Sequence, residues 1–525
     1  MRLSSLKRAQ RNSKVAPVKP RTAEIFTFPS PTRGWNARDP LAGMQLGDAI
    51  TLDNYYPTTA DVRLRTGMDE HATGLDSSFV ETLMTYKTGT VSQMFGATAS
   101  GKIYNVSAAG AVGAAVVSAM TNGRWQWVNF TTSAGNFISA VNGSDTPRQY
   151  DGTSWIASTM TGLTTANLIG VFTYKRRLFF IEKEKLKLWY LAVDSITGAL
   201  TAFDLSAQFR KGGQIMAGGS LTRDGGDGID DLFVVISSEG EVVIYQGLDP
   251  ASDFVLVGVY TIGSPIGRRC MERLGADLVA LTVDGIVGIS QIITLDRSAA
   301  NKVTLSDRIR NVFNTSAVSF KGVFGWQFVS YPTYSQGSMV FVNVPIVERT
   351  EQHQYVMNGT TQAWCRFKGW NSNCWALFND KLYFGGTGKV YLADTGLSDN
   401  DVKIEGLIQT NFSYPEDSHE YKEFKSVRAL LITEPTLSYG VVLLTDFEDK
   451  FTVTPISYDP GSSGSVWNVA TWDVDPWSTV VVVKDFHDQP VSGQSVSSVF
   501  FTSTKEIEIR FNSLDIVWER GSIQP

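Results

Sequence analysis

The sequence predicts an all-β protein, and two observations lead to that prediction. Short strand, turn and strand units recur along the chain, whereas apolar residues at helical spacing are scarce. The 47 glycines provide turns, and the 13 tryptophans and 18 tyrosines suit the packed faces of pleated sheets. Only the region around residues 307–313 has a pattern that predicts a short helix.

The clearest unit lies in residues 354–396. One apolar strand runs into Asn358-Gly359 and returns, and a second strand pair flanks Gly385-Gly386. Asn-Gly and Gly-Gly supply positive φ at little steric cost, as tight hairpins require. The stretch therefore predicts two consecutive β-hairpins.

Similar units recur upstream and predict the architecture. From residue 95 to residue 396 the average spacing is about 43 residues, which is typical of four-stranded propeller blades. We therefore predict a β-propeller of seven blades, with six as the alternative because the spacing near residues 278 and 339 is uneven. The units are 95–106, 136–155, 178–190, 232–245, 278–289, 339–364 and 382–392.

The pattern changes after residue 396, where longer alternating strands replace the hairpins. This change predicts an additional β-sandwich-like platform domain. Residues 24–88 precede the first regular unit and are expected to pack on that platform. The predicted organisation is a basic N-terminal arm (1–23), an N-terminal segment (24–88), the β-propeller (89–396) and the C-terminal platform (397–525).

The N-terminal arm differs in charge from the rest of the chain. The whole chain carries −6 and residues 1–22 carry +7, so residues 23–525 carry −13. Such an arm favours an anionic partner, either nucleic acid or an acidic protein surface, and a solvated tail without a partner is the alternative. The candidate partner-binding residues are Arg2, Lys7, Arg8, Arg11, Lys14, Lys19 and Arg21.

The sequence predicts no catalytic, cofactor or metal site. The four histidines do not have metal-ligand spacing, and no GxxxxGK[ST] phosphate loop occurs. Cys270, Cys365 and Cys374 are too few for a disulfide framework and are expected to be free buried thiols. We therefore expect a protein that is not an enzyme and needs no cofactor.

Two loops resemble known sites in part. Residues 223–231 resemble a calcium loop, but Arg223 and Gly225 stand where oxygen ligands are needed, so an acidic surface turn is expected. Residues 151–155 resemble half of the Asp-box turn of sialidase propellers, and a structural turn is expected there. The most apolar run, 108–120, is shorter than the roughly 20 residues of a membrane helix, which predicts no membrane insertion.

Several motifs resemble, in the same order, those of tail proteins from short-tailed bacteriophages. The resemblance extends over about residues 30–410. The motifs are 34–36 (GWN), 39–41 (DPL), 52–54 (LDN), 65–67 (RTG), 243–250 (VIYQGLDP), 256–260 (LVGVY), 262–268 (IGSPIGR), 281–286 (LTVDGI), 325–327 (GWQ), 354–358 (QYVMN), 363–365 (AWC) and 382–385 (LYFG).

This resemblance implies a tail nozzle or hub protein, similar to the tail tubular protein B type. It implies a homo-hexameric ring below the head-to-tail adaptor, with tail fibre, spike or needle proteins around or below it. It also implies transient passage of double-stranded DNA, a place in the virion tail and assembly in the host bacterial cytoplasm. This chain is shorter than the tubular-protein type, so distal tip domains are expected to be reduced or missing. The basic arm has no counterpart in the resemblance.

Two alternatives of other classes are consistent with a propeller. One is a carbohydrate-active or glycan-binding β-propeller that acts on host surface polysaccharide, which would need paired carboxylates facing one sugar ring. The other is a cellular scaffold propeller, which would expose an apolar groove and form no ring.

Overall fold

The chain is all-β, as predicted. The computed structural model describes residues 22–224, 229–294, 304–433, 437–452, 456–458, 481–483 and 485–521. Strands account for 52% of the described residues and helices for 6%. The α-helices of the described residues are α1 (Ile289–Thr294) and α2 (Arg310–Phe320), and 3-10 turns lie at Leu41–Gly43, Thr165–Asn167 and Asp307–Ile309. The helix predicted near residues 307–313 is confirmed. No helix in the described ranges has both the length and the apolar composition needed to span a bilayer.

Five short strands come first and join the two large sheets described below. They are β1 (Glu24–Pro29), β2 (Gly34–Trp35), β3 (Asp48–Asp53), β4 (Tyr55–Pro57) and β5 (Val62–Leu64). β1 pairs with a strand at the C-terminal end of the chain, so the two chain ends of the described part meet in one sheet.

Seven groups of antiparallel strands, which we call the small sheets, follow in the described part of the chain; six are separate sheets, and the sixth in chain order is part of the ten-stranded sheet described below. The first contains β7 (Val80–Lys87) to β9 (Ile103–Asn105), and the second contains β11 (Gln126–Thr132), β12 (Gly135–Val141), β13 (Arg148–Tyr150) and β14 (Trp155–Ala157). The third contains β15 (Leu168–Tyr174), β16 (Arg177–Glu182), β17 (Lys187–Tyr190) and β18 (Thr201–Asp204). The fourth contains β19 (Ile215–Asp224), β20 (Ile229–Ser237), β21 (Glu241–Gln246) and β22 (Val255–Thr261). In the first sheet, β8 (Ser92–Thr98) lies between β7 and β9.

The last three small sheets complete the series. The fifth contains β23 (Met271–Leu274), β24 (Asp277–Thr282) and β25 (Gly285–Gly288); the sixth contains β26 (Gln327–Tyr331), β27 (Met339–Val347), β28 (Glu351–Asn358) and β29 (Trp364–Phe367); the seventh contains β30 (Trp375–Phe378), β31 (Lys381–Gly385) and β32 (Val390–Ala393). The seventh sheet gains β6 (Met68–Thr73), which pairs antiparallel with β32, and β10 (Gly110–Ala111), which pairs parallel with β6. A strand from before the series thus completes its last sheet.

The first strands of these sheets contact one another in chain order. The order runs β7, β11, β15, β19, β23, β26 and β30, and β30 in turn contacts β7. Apolar side chains fill the space between consecutive sheets. Between the third and fourth sheets, for example, the ring centres of Phe179 and Phe233 lie 4.9 Å apart. Each small sheet is therefore buried mainly by its neighbours in the series.

Two larger sheets are built on the sixth small sheet and the C-terminal segment. A ten-stranded sheet extends the sixth sheet through β2 and β3 to the C-terminal strands of residues 404–410, 437–445, 456–458 and 496–504. A seven-stranded sheet contains β1, β4, β5 and the other four C-terminal strands. Both sheets contribute to one hydrophobic core, in which the rings of Phe500 and Phe511 lie 5.1 Å apart. The C-terminal strands are β33 (Ile404–Thr410), β34 (Lys422–Thr433), β35 (Leu437–Thr445), β36 (Ile456–Tyr458), β37 (Val481–Val483), β38 (His487–Gly493), β39 (Val496–Thr504) and β40 (Ile509–Arg520).

The hairpin turns differ from the predicted ones in detail. Gly359 does not have positive φ; the left-handed residue of that loop is Gln362 (φ 58°), and the Asn358 side chain accepts backbone hydrogen bonds from Thr360 and Thr361. An Asx-type turn therefore closes the hairpin, since a short polar side chain can substitute for a backbone acceptor. Elsewhere Lys175-Arg176 and Asn379-Asp380 have positive φ in two-residue turns.

The domain boundaries drawn from the sequence stay predictions. Within the predicted N-terminal segment, β1 to β5 pair with the large sheets, whereas β6 and β7 join the series of small sheets. The change at residue 396 lies between β32, the last strand of the series, and β33, which belongs to the ten-stranded sheet.

Candidate functional site: junction, central cavity and exposed edge

The chain enters and leaves the series of small sheets at one place. The backbone N–H of Gly67 donates to the carbonyl of Gly396 at 3.1 Å, and that of Met68 donates to Ser398 at 3.0 Å. A Cβ on Gly67 would lie 1.8 Å from the carbonyl oxygen of Ser398. Glycine at position 67 is therefore required by close backbone approach rather than by a turn conformation.

Arg65 lies beside this crossing, and its side chain has no exposed surface. Its Nε donates to Asn54 Oδ1 at 3.0 Å, Nη1 donates to Thr66 O and Asp399 Oδ1, and Nη2 donates to Lys368 O and Asp399 Oδ2. All five N–H groups of the guanidinium thus have partners, which is the condition for burying this charge.

Aromatic rings complete the environment of Arg65. Its Cζ lies 4.7 Å from the ring centre of Trp370 and 5.9 Å from that of Phe367. A guanidinium can stack on rings while its edge donates hydrogen bonds, whereas a lysine ammonium cannot make this set of contacts. The site is therefore specific for arginine.

Asp53 holds a second ion pair next to the first. Arg366 donates to both Asp53 oxygens at 2.7 and 2.8 Å, and Lys368 Nζ lies 2.7 Å away. Burial acts to raise the pKa of Asp53, but the hydrogen bond and charge of Arg366 and the charge of Lys368 outweigh it and lower the pKa. Asp53 is therefore ionised at neutral pH.

We call Asp53, Asn54, Arg65, Arg366 and Asp399 the junction cluster. It links the N-terminal segment, the end of the sixth small sheet and the start of the C-terminal segment. Charged hydrogen bonds in fixed geometry resist shear between these parts. The motifs LDN and RTG contribute members of this cluster, but no sequence signal identified Asp399, which lies 334 residues after Arg65.

A central cavity of about 470 Å³ is lined by the first strands of all seven small sheets. Glu272 on β23 is the carboxylate of this lining. The Glu272 side chain is exposed to the cavity but has protein atoms on most sides. The resulting desolvation raises the pKa of its carboxyl group above the usual 4.5. Glycoside hydrolysis uses two carboxylates at one sugar ring, and the lining supplies one.

β22 forms an exposed apolar edge. It is the outer strand of the fourth small sheet, and within the described part of the chain no strand pairs with its far side. Val255 is 66% exposed, Val257 41% and Val259 39%, and Leu248 in the preceding loop is 63% exposed. Such edges offer backbone groups and apolar side chains to another chain. Sequence reasoning did not single out this edge, because the motif LVGVY has the same pattern as an interior strand.

The arm residues proposed as a partner-binding site lie outside the described residues. The centre of the 223–231 loop, residues 225–228, also lies outside them; Asp231 forms an ion pair with Lys175 at 2.9 Å. In the described ranges no group of His, Cys, Asp and Glu side chains is arranged to hold a metal ion.

Residues 151–155 form the expected structural turn. The Asp151 carboxylate accepts backbone hydrogen bonds from Thr153 at 2.8 Å and Ser154 at 2.7 Å, and Gly152 has φ 96°. The prediction of free buried thiols is confirmed for all three cysteines. Burial raises the pKa of Cys270 and that of Cys374 to about 12, so neither is a reactive thiolate at neutral pH.

Comparisons with known proteins add no functional assignment. No protein family and no curated protein matches the sequence. Among solved structures, the chain is similar to the WD40 β-propeller domain of Doa1 (8% identity, TM-score 0.38, covering 62% of this chain and 96% of that one). It is also similar to the computationally designed Ika8 protein (9%, TM-score 0.36, 62% and 99%). A third similar structure is an exo-β-1,3-galactanase from Phanerochaete chrysosporium (9%, TM-score 0.28, 74% and 95%).

Proposed function

We propose that this chain is a structural subunit of a bacteriophage tail. In this proposal it forms a homo-hexameric nozzle or hub ring below the head-to-tail adaptor, channels the genome during ejection and docks distal tail proteins. The ordered series of tail-protein motifs between residues 30 and 410 is the observation that carries the proposal.

The proposed architecture is a seven-bladed β-propeller fixed to a β-sandwich platform. Two observations support it: the first strands of seven small sheets contact one another in cyclic order, and β6 completes the last sheet. Closing the last sheet with a strand from before the first one ties the two ends of the series together. In such a unit the edges that remain are the outer strands of the small sheets, and these are available for contact with neighbouring subunits.

The junction cluster supports a mechanical role. A ring subunit transmits force between the adaptor and the distal tail, so its propeller and its platform must keep their relative orientation. Five charged hydrogen bonds hold the junction cluster together. Arg65 Nη1 and Nη2 donate to Asp399. Arg366 Nε, Arg366 Nη2 and Lys368 Nζ donate to Asp53. Two of the tail-protein motifs, LDN and RTG, supply side chains to this cluster.

Charge also fits a conduit. Residues 23–525 carry −13, since the whole chain carries −6 and residues 1–22 carry +7. Tight DNA binding depends on cations that displace counterions from phosphates. An acidic body therefore disfavours retention of DNA during passage.

Cryo-electron microscopy of virions from the genome that encodes this chain tests the proposal, together with immunogold labelling by antibodies raised against the purified protein. We expect sixfold density below the adaptor into which the chain fits, and label at the tail. Virions without label, or a tail ring built from another protein, would contradict the proposal. The glycan-directed alternative predicts release of sugar from host polysaccharide, but the one carboxylate in the cavity lining does not favour it.

A further inference from the structure

One mouth of the central cavity is strongly basic. A pocket of about 250 Å³ adjoins the cavity there and shares Gln126, Arg268 and Arg269 with it. Its lining contains five cationic side chains and no carboxylate. We call these five residues the basic mouth: Arg124, Lys183, Arg268, Arg269 and Lys321.

Much of this positive charge has no counter-charge. The side chains of Lys183, Arg268 and Lys321 form no ion pair and no side-chain hydrogen bond within the described part of the chain. Arg269 Nη2 donates to uncharged acceptors, which are the Glu81 carbonyl at 3.0 Å, Thr82 Oγ1 at 2.8 Å and the Trp125 carbonyl at 3.5 Å.

Arg124 is the paired member of the basic mouth. It contacts the carboxylates of Glu81 at 3.1 Å and Glu348 at 2.9 Å. Glu81 also pairs with Arg349 at 2.9 Å. With Arg349 included, six cations therefore face two carboxylates, and the pocket has a positive potential that a bound anion would neutralise.

The direction of the pKa shift of Arg268 agrees with this excess of positive charge. Burial lowers the pKa of Arg268, and the charge of Arg124 lowers it further. A carboxylate close to Arg268 would act in the opposite direction. The Arg268 guanidinium is thus partly desolvated and lies near a second positive charge, that of Arg124.

The pocket walls orient the guanidinium groups. Arg124 Cζ lies 4.3 Å and Arg269 Cζ 5.4 Å from the ring centre of Phe324. Stacking on one ring restrains both planes and leaves N–H edges available for an anion. Gly143 has φ 73°, and a Cβ there would lie 2.6 Å from Ile169 Cγ2 and 3.5 Å from Arg268 Nη1, so glycine keeps this wall open.

We propose that the basic mouth binds a phosphate group, as free phosphate or as a phosphomonoester. Arginine N–H pairs match the oxygens of phosphate, and two lysines add charge without geometric demand. The pocket volume suits one small anion and excludes a nucleic-acid duplex, which could contact only the rim. This inference goes beyond the proposed tail function and does not rest on it.

Titration calorimetry of the full chain with inorganic phosphate, at ionic strength held constant with chloride, tests the site. We expect saturable binding that Arg268→Gln weakens about tenfold, the value of one charged hydrogen bond. Lys321→Gln is the second variant, and Lys87→Gln, which changes an exposed lysine outside the mouth, is the control and should bind as the unmodified chain does. All variants should keep the unmodified melting temperature, because neither Arg268 nor Lys321 has a side-chain partner to lose.

Two further arms distinguish the ligand's source. Glucose 6-phosphate should compete with inorganic phosphate, whereas glucose should not. Heat that is equal for phosphate and chloride, or equal loss in the Arg268→Gln and Lys87→Gln variants, would overturn the proposal. Binding of a 20-base-pair DNA duplex at Arg268 without binding of phosphate would also overturn it, in favour of a nucleic-acid rim.

Discussion

Both carboxylate oxygens of Asp399 accept hydrogen bonds from the guanidinium of Arg65, at 2.8 Å from Nη1 and 2.5 Å from Nη2. The pair joins a residue three positions before β6 to a residue six positions after the end of β32, the last strand of the small-sheet series. Because the Arg65 side chain is fully buried and every donor is used, the pair acts as a single structural unit at the crossing of the chain.

Replacing Arg65 with methionine should destabilise the protein strongly. The substitution keeps apolar volume but leaves the buried Asp399 carboxylate without its partner, which costs about 3–5 kcal/mol. Urea unfolding followed by tryptophan fluorescence measures the change. Arg63→Met is the matched control, since Arg63 forms a more exposed pair with Asp61 and should cost about 1 kcal/mol or less. Equal midpoints for the two variants would contradict the role assigned to Arg65.

Gly67→Ala should destabilise through a steric clash alone. The new Cβ would lie 1.8 Å from the Ser398 carbonyl oxygen, so the backbone crossing must open. We expect a loss of about 3 kcal/mol or more, or an insoluble product. Gly89→Ala is the control, because nothing lies within 4 Å of a Cβ there. Circular-dichroism melting of both variants distinguishes them, and a soluble Gly67→Ala chain with the parental melting temperature would refute the argument.

Glu272→Gln should stabilise the protein at high pH. Burial raises the pKa of Glu272 in the folded state above its usual 4.5, so the folded chain binds this proton more tightly than the unfolded chain. The carboxyl therefore lowers the free energy of unfolding as pH rises from about 4.5 through the folded-state pKa. The variant should melt on the order of 1 °C higher at pH 8, and the difference should vanish near pH 4.

Differential scanning fluorimetry across this pH range measures the Glu272 effect. The exposed Glu448, replaced in Glu448→Gln, provides the control and should show no such pH dependence. A Glu272→Gln variant that melts lower than the parent at pH 8 would show that the ionised carboxylate is stabilised rather than strained in the cavity.

If β22 contacts a neighbouring subunit in the proposed ring, Val257→Lys should reduce ring assembly without loss of fold. Val257 is 41% exposed on an outer strand, so a lysine there costs little in the monomer but disfavours an apolar contact. Mass photometry and negative-stain microscopy of tails assembled with the variant measure the effect. Val318→Lys, at a 73% exposed position on α2, is the control. Normal assembly of the Val257→Lys chain would remove β22 from the interface.

Deletion of residues 1–21 should impair assembly while leaving the melting temperature unchanged. The deletion removes all seven positive charges of the arm, which we propose clasps a neighbouring subunit or the adaptor. Infectivity and tail completeness, scored after complementation with the truncated gene, measure the outcome. If both equal those of the full chain, the arm has no assembly role.

The sequence by itself determined the all-β class and the positions of the recurring hairpins. Period-2 patterns and turn residues are local signals, and strands appear in every predicted unit, from β8 and β9 to β31 and β32. Turn details were less predictable, because Lys175-Arg176 and Gln362 take left-handed conformations that context imposes on residues without that preference.

Only the tertiary structure decided which distant residues meet. Arg65 and Asp399 are separated by 334 positions, and the five members of the basic mouth come from four separate stretches of chain. Strand pairing such as β6 with β32, and β1 with β40, likewise depends on which sheet edges meet in the folded chain. Contacts of this kind follow from packing of the whole chain, because the free energy of burying an ion pair or of closing a sheet depends on all its partners together.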